Sequence, residues 1–282
     1  LQTLRSLGFD RISFGVQSLQ DDELRAIGRI HNAQQALEAL ALARKAGFAR
    51  ISADLIYGLP SQTLTSLQDT LERLTDTGIE YISVYGLIVE EGTPLANLVD
   101  KGRIILPDED TAADMYELVQ SFLRERGFER YEISNYAKNG QYSRHNTVYW
   151  EYHPYVAFGV AACGFDGQRR RTGLSTVKEY IGQLRSFNGE DLRNSALYNV
   201  EELSSAELLE EFMFMGLRRS EGASLAEARE RFGVDVLQRF ASELAPLFEQ
   251  KLIAYEADTQ RLRLTERGME VGNQIFEVFV IS

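Results

Sequence analysis

Apolar residues recur at two periods along the chain, and the switching between them sketches the fold. Leu1, Leu4 and Leu7 share one helical face, and Gly8 follows where a left-handed residue can stop the helix. Arg11–Gln17 reads as a short strand. Asp21 or Asp22 is expected to cap the next, short helix. Asn32 with Gln35 has the form of a capping box for a helix that runs to Ala46 and stops at Gly47. Ile51–Tyr57 is the second strand, halted by Gly58, Leu59 and Pro60. Thr65 with Gln68 predicts the start of a helix whose Leu67, Leu71 and Leu74 face one way, closed by Gly78. Tyr81–Ile88 is the third strand. Strands and helices alternating at this spacing predict consecutive βα units: a parallel sheet, helices outside it and right-handed crossovers.

Beyond Pro94 the pattern loosens. Asp108, Glu109 and Asp110 then open a helix through Arg126, with acidic side chains at the positive end of its dipole. Phe128–Ile133 is expected as a further strand and Tyr155–Cys163 as one more buried strand. From Val177 the period is helical, with helices over Leu203–Leu217, Leu225–Phe232 and Val236–Phe248. A hairpin of Leu252–Tyr255 and Arg261–Leu264 follows, then a last helix over Glu266–Phe279, so this part is expected to be winged-helix-like. The expected division is 1–175 for the βα part and 176–282 for the helical part. A complete eight-unit βα barrel takes about 250 residues. Only a partial barrel is therefore expected, with Arg11–Val16 as an open edge. Such an edge invites pairing with another chain. Either another polypeptide segment is expected to cover it or this chain is the back part of a longer protein, and a homodimer is among the expected partners.

Composition narrows the partners. Over 282 residues the net charge is −12, which argues against a general nucleic-acid binder. No run approaches the roughly 20 apolar residues of a membrane span. The single cysteine, Cys163, excludes an internal disulfide and fits a reducing, cytoplasmic setting. One cysteine also cannot hold an iron–sulfur cluster or a structural zinc. Arg169, Arg170 and Arg171 form the densest positive run, either a solvated turn or a site for a carboxylate or phosphate.

Ligands of parallel βα sheets lie beyond the carboxyl ends of the strands. Gln17, Asp54, Glu90 and Glu91 fall at or near such ends. Asp54 sits among Ala53, Leu55 and Ile56, where a carboxylate is costly unless it is hydrogen-bonded. It suits either ribose hydroxyls or a structural bond to a neighbouring loop. Arg29 and His31 flank Ile30 between two helices, where an arginine either clamps a ligand carboxylate or neutralises a helix end. The segment Tyr142–Trp150 holds the only tryptophan together with Arg144, His145, Asn146 and Tyr149. These side chains can ligate a metal or stack on a flat ring, and equally can anchor packing.

Taken in order, several short motifs carry a resemblance. They are Phe14–Ser18, Gly28–His31, Asp54–Pro60, Glu91–Pro94, Leu106–Asp110, Tyr131–Asn135 and His145-Asn146-x-x-Tyr149-Trp150. Together they resemble the radical S-adenosylmethionine (SAM) family of oxygen-independent coproporphyrinogen III oxidases, most of all its HemW branch, whose members are heme chaperones. The likeness extends to the C-terminus through Met213–Arg218 and Arg263–Gly268. It implies the C-terminal part of a radical-SAM βα barrel, followed by that family's helical C-terminal domain. By resemblance, Gln17, Arg29, Asp54 and Ile88 correspond to SAM-contacting positions. His145, Asn146, Tyr149 and Trp150 correspond to the heme motif, with His145 as the iron ligand, Tyr149 and Trp150 packing on the porphyrin, and Arg144 meeting a propionate. The implied cofactors are SAM, a [4Fe-4S] cluster and heme. The implied role is heme transfer to acceptor proteins. The alternatives are radical decarboxylation of coproporphyrinogen III in porphyrin biosynthesis, and an interaction domain without a cofactor.

Three departures accompany the resemblance. The family's three-cysteine motif, its glycine-rich SAM turn and its first four strands would lie upstream of Leu1, so this chain alone is not expected to bind the cluster. The stretch Phe158–Asp166 ends in Gly164, Phe165 and Asp166 where relatives often have alanine, histidine and serine. Ser143 stands near a position where a cysteine is usual.

Overall fold

The structure is a computed structural model that describes residues 1–186 and 198–280. By its internal contacts the chain divides into Leu1–Tyr142 and Ser143–Ser282. The division expected near residue 175 does not coincide with this one, and the His145 motif lies in the second unit.

The first unit is built on one five-stranded sheet. Its strands are β1 (Arg11–Gln17), β2 (Arg50–Tyr57), β3 (Tyr81–Gly86), β4 (Glu129–Arg130) and β5 (Asn135–Ala137), in the spatial order β1-β2-β3-β5-β4. The first three are parallel, as the βα spacing predicts. The stretch expected as a single strand over Phe128–Ile133 instead contributes only β4. The chain then turns at Tyr131–Ser134, and β4 and β5 run antiparallel to their neighbours. The third strand stops at Gly86, so Ile88 lies beyond it and is 76% exposed. β1 is an edge strand, as expected.

The two faces of the sheet differ in chemistry because side chains alternate along each strand. Val16, Ile51, Ala53, Leu55, Ile82 and Val84 pack against Leu40, Leu67, Leu71, Leu74, Met115 and Leu123 of the helices Ala33–Lys45, Leu64–Asp76 and Glu109–Glu125. Leu67, Leu71 and Leu74 are wholly buried, each contributing about 1.5–3 kcal/mol on transfer from water. In register on the other face stand Ser13 with Ser52, Gly15 with Asp54, and Asp54 with Ser83. One face therefore makes the core, and the other carries hydroxyls and carboxylates.

Helix starts follow the capping logic with two differences. The Asn32–Gln35 box forms as expected. The helix expected to begin at Thr65 is capped two residues earlier by Thr63, in a box with Ser66. Asp21 and Asp22 lie inside the first turn of Asp21–Ala26 and do not cap it. Asp21 instead accepts from the Ala33 backbone N–H at 2.9 Å, tying two successive helices together.

In the second unit, β6 (Cys163–Phe165), β7 (Arg169–Gly173) and β8 (Tyr198–Glu202) form one antiparallel sheet. The buried strand expected over Tyr155–Cys163 is not formed. Only Tyr155 bridges to Phe165, while Val156 and Phe158 are each 80% exposed. The triple-arginine run is β7 itself, not a turn. A second sheet joins β9 (Ala223–Ser224), β10 (Ile253–Glu256) and β11 (Arg261–Leu264) in the order β10-β11-β9. With the helices Ser205–Leu217, Leu225–Phe232 and Ala241–Glu249 it makes the expected winged arrangement, and β9 adds a third strand to the hairpin. The helix expected over Glu266–Phe279 is broken into Glu266–Glu270, Gly272–Phe276 and a 3-10 turn. The expected helical continuation through 187–197 lies outside the described residues.

Candidate functional site

Two groups of polar side chains stand out, one in each unit. The first forms at the carboxyl ends of β1 and β2. Gln17, at the end of β1, has a left-handed φ of 64° at a register shift between Gly15 and Gln17. A bulge of this kind re-aims the side chain that follows it, and a non-glycine residue holds such a backbone only when its surroundings enforce it. The turn that follows Gln17 is held by Glu23, a carboxylate that is only 3% exposed. It accepts from Ser18 at 2.6 Å, from Gln62 Nε2 at 3.0 Å and from Ser66 at 2.5 Å, so the turns after β1 and β2 are tied to one acid. Sequence reasoning missed Glu23, since a buried glutamate and a surface one look alike in a short acidic helix.

Arg29 reaches the same place from the loop after Asp21–Ala26. Its Nη2 donates to the Gly15 carbonyl at 3.2 Å, and His31 Nε2 donates to the Val16 carbonyl at 3.2 Å. A Cβ added at Gly15 would lie 2.8 Å from Gln17 Nε2 and 3.2 Å from Arg29 Nη2. The absent side chain leaves the room that brings these two donors together. Gly15 is the register partner of Asp54, which accepts from the Ser13 hydroxyl at 3.1 and 3.2 Å. Gln17, Arg29 and Asp54 thus converge on Gly15, while Ile88 stands apart beyond the end of β3. Next to Asp54, Ser83 donates to Asn135 Oδ1 at 2.7 Å, and Glu132 accepts from Asn135 Nδ2. Burial raises the Tyr85 hydroxyl above its ordinary pKa, with Asp54 and Glu132 adding to the rise against hydrogen bonds from Ser83 and Asn135.

The second group lines a cavity of about 690 Å³, within the roughly 300–1,000 Å³ usual for small-molecule and cofactor sites. One wall is the helix Arg144–Trp150, capped by Ser143, whose hydroxyl accepts from the Asn146 N–H at 3.4 Å. The serine that replaces the usual cysteine is thus the helix cap. His145 and Tyr149, four residues apart, share one helical face and both line the cavity. Their side chains meet, with 3.2 Å between the Tyr149 hydroxyl and His145 Nε2. Tyr155 holds the Tyr149 ring edge-on at 4.6 Å between centroids. The irregular segment Pro154–Phe158 supplies the opposite, mostly apolar wall. Burial, then Cys163 and Tyr149, raise the Tyr155 hydroxyl pKa.

The arginine run alternates in direction, as a strand requires. Arg169 pairs with Glu202 and Arg170 with Glu201 and Glu211, while Arg171 lines the cavity and donates to Asp166 at 2.6 Å. Burial pushes the Asp166 carboxyl up, but Arg171 and the Gln168 and Arg169 backbone N–H groups outweigh it and hold the pKa at about 2. Arg171, not Arg144, is the guanidinium at the cavity. Trp150 and Asn146 are not part of its lining. The Trp150 ring lies under Arg218 at 4.9 Å, and its buried indole N–H has no acceptor among the described residues.

Among the described residues no three His, Cys, Asp or Glu side chains converge as metal ligands, and Cys163 is the chain's one cysteine. This donor set does not fit a [4Fe-4S] cluster. Among the described residues no helix is long and apolar enough to cross a membrane.

The family model of the radical SAM superfamily matches residues 1–74, and that of the HemN C-terminal domain matches residues 203–271. The heme chaperone HemW of Bacillus subtilis is 39% identical over 99% of this chain and 72% of its own length. The heme chaperone HemW of Lactococcus lactis is 33% identical, again over 72% of its length. The solved structure of coproporphyrinogen III oxidase (HemN) from Escherichia coli, a radical SAM enzyme, superimposes with a TM-score of 0.76 at 21% identity. It covers 98% of this chain and 65% of that one, a likeness of fold. The identity to relatives that it spans over most of their length shows that the chain belongs to the HemW family of radical SAM proteins.

Proposed function

We propose that this protein binds heme in the cavity of the second unit and hands it to acceptor proteins. The observation that carries this reading is the pairing of His145 and Tyr149 on one helical face in a cavity of about 690 Å³. The neutral imidazole of His145 is a common iron ligand. The apolar wall from Pro154 to Phe158 suits a flat hydrophobic ring, and Arg171 suits a propionate carboxylate. The exposed Val156 and Phe158 would be open to a recipient protein. Trp150 supports the helix from its other face through Arg218. A cytoplasmic setting, with heme-acceptor proteins as partners, accords with this reading.

We further propose that Gln17, Arg29 and Asp54 hold SAM. The space left by Gly15 beside two donors and a carboxylate fits the group. Arg29 would take the methionine carboxylate, and Asp54, already oriented by Ser13, would accept from the ribose hydroxyls. Ile88, exposed beyond the end of β3, is proposed as a further SAM-lining residue. When bound, SAM supplies a sulfonium centre. These residues would bind and orient it.

The decisive experiment is titration of the purified protein with hemin, read at the Soret band. A saturable band that is lost in His145→Ala supports the reading. A band unchanged in that variant overturns the assignment of His145.

A further inference from the structure

In the cavity of the second unit, the Tyr149 hydroxyl stands 3.2 Å from His145 Nε2. The two rings meet edge to face, 5.0 Å apart and inclined at 86°. Tyr149 is itself held by Tyr155, edge-on at 4.6 Å and 78°. Tyr155 in turn is fixed by a two-way backbone bridge to Phe165, at 2.8 and 2.9 Å. The hydroxyl is therefore aimed by packing rather than by chance rotation. The hydroxyl donates to the Nε2 lone pair when the imidazole carries its proton on Nδ1. That is the same tautomer, and the same lone pair, that an iron atom needs.

We infer that Tyr149 is a competitor for the histidine ligand, a built-in release element that keeps heme binding at His145 exchangeable. The inference rests on the heme reading of this cavity. Binding exchanges the Tyr149 O–H···Nε2 hydrogen bond for an iron–nitrogen coordinate bond, and release reverses the exchange. The tyrosine proton stays on its oxygen throughout, and no electron changes owner. A hydrogen bond of this kind contributes about 0.5–1.5 kcal/mol net. Its loss from the empty state corresponds to roughly a two- to tenfold change in affinity. A carrier gains from this, because departing iron leaves behind a lone pair that is at once satisfied. The barrier to handing heme on falls accordingly.

Tyr149→Phe keeps the ring and its contact with Tyr155 and removes only the hydroxyl. The expected result is hemin binding about fivefold tighter than wild type. Transfer to excess apomyoglobin, followed by the shift of the Soret band, should be slower by a similar factor. In a His145→Ala background the same substitution should restore no Soret band, which separates relief of competition from a gain in packing. Equal or weaker hemin binding by Tyr149→Phe, in a protein whose wild type binds through His145, overturns the inference. So does loss of a phenolate-to-iron charge-transfer band in Tyr149→Phe, because Tyr149 would then be a ligand itself. Absence of hemin binding by the wild type, or binding unaffected by His145→Ala, overturns the underlying reading of the cavity, and the inference falls with it.

Discussion

The polar group at the ends of β1 and β2 and the cavity beside the helix Arg144–Trp150 are assembled in opposite ways. In the first, regular strands in parallel register set Gly15 against Asp54, and one bulge turns Gln17 and a loop arginine to the same point. In the second, a short helix supplies two side chains, and the other wall is irregular chain whose exposed residues have no strand partners. Regular register gives a site fixed by backbone hydrogen bonds. An irregular wall gives one that depends on aromatic packing and on a few ion pairs. The first should fail sharply when its geometry changes. The second should tolerate changes in its wall but not in its ligand.

Four substitutions sharpen this contrast. The largest effect is expected for His145→Ala. Loss of a residue that merely supports a metal ligand already costs about 10- to 100-fold in affinity, so loss of the ligand should weaken hemin binding by at least about 100-fold in a Soret titration. Arg29→Ala removes a charge-assisted bond of about 1.5–3 kcal/mol. SAM affinity measured by calorimetry should fall by about tenfold or more, with hemin binding unchanged. Gly15→Ala removes no polar group, yet its Cβ would crowd Gln17 Nε2 and Arg29 Nη2. It should weaken SAM by up to about tenfold while the unfolding midpoint stays near wild type. A full-strength site in Gly15→Ala would break the claim that register makes the first site. Ser143→Ala removes the cap of the helix bearing His145 and should cost about 1 kcal/mol in denaturant unfolding of the second unit, with a smaller loss of hemin affinity.

The smallest effect concerns pH. The Asp166 carboxyl lies at about 2 when folded, against an ordinary value of 3.8, mainly because Arg171 and two backbone N–H groups outweigh its burial. A lowered folded pKa stabilises the protein at pH values above the ordinary one, and that contribution is lost as pH falls from about 4 toward about 2. The carboxylate is partly exposed, so solvent screens the gain. Acid unfolding followed by circular dichroism should be slightly less steep in that window for Asp166→Asn. An identical acid profile would remove Asp166 as a support of the cavity wall.

The parallel βα order, the open edge at β1, the Asn32 capping box and the winged C-terminal part were legible in the residues, because each rests on local periodicity or a local cap. Gln17 and Asp54 were legible as residues at strand ends, and Arg29 as a candidate carboxylate clamp between two helices. Their meeting at Gly15 was not, since it depends on a register shift and on a glycine chosen for its missing side chain. The sequence misled where apolar content was read as burial. Tyr155–Cys163 has a strand's composition, yet Val156 and Phe158 are exposed because no strand among the described residues pairs with them. Arg169–Arg171 misled in the opposite sense. Three like charges suggested a turn, while the Glu202, Glu201, Glu211 and Asp166 carboxylates make a strand affordable.

By itself the sequence determined which residues could do chemistry and which elements carry them, because helix and strand periods and caps act over a few residues. The tertiary structure alone decided which of those residues share a site. It brought Arg171 rather than Arg144 to the cavity, turned Trp150 away toward Arg218, and set the Tyr149 hydroxyl on the His145 nitrogen. Such choices depend on strand direction and on contacts between residues far apart in the chain, which no local pattern encodes.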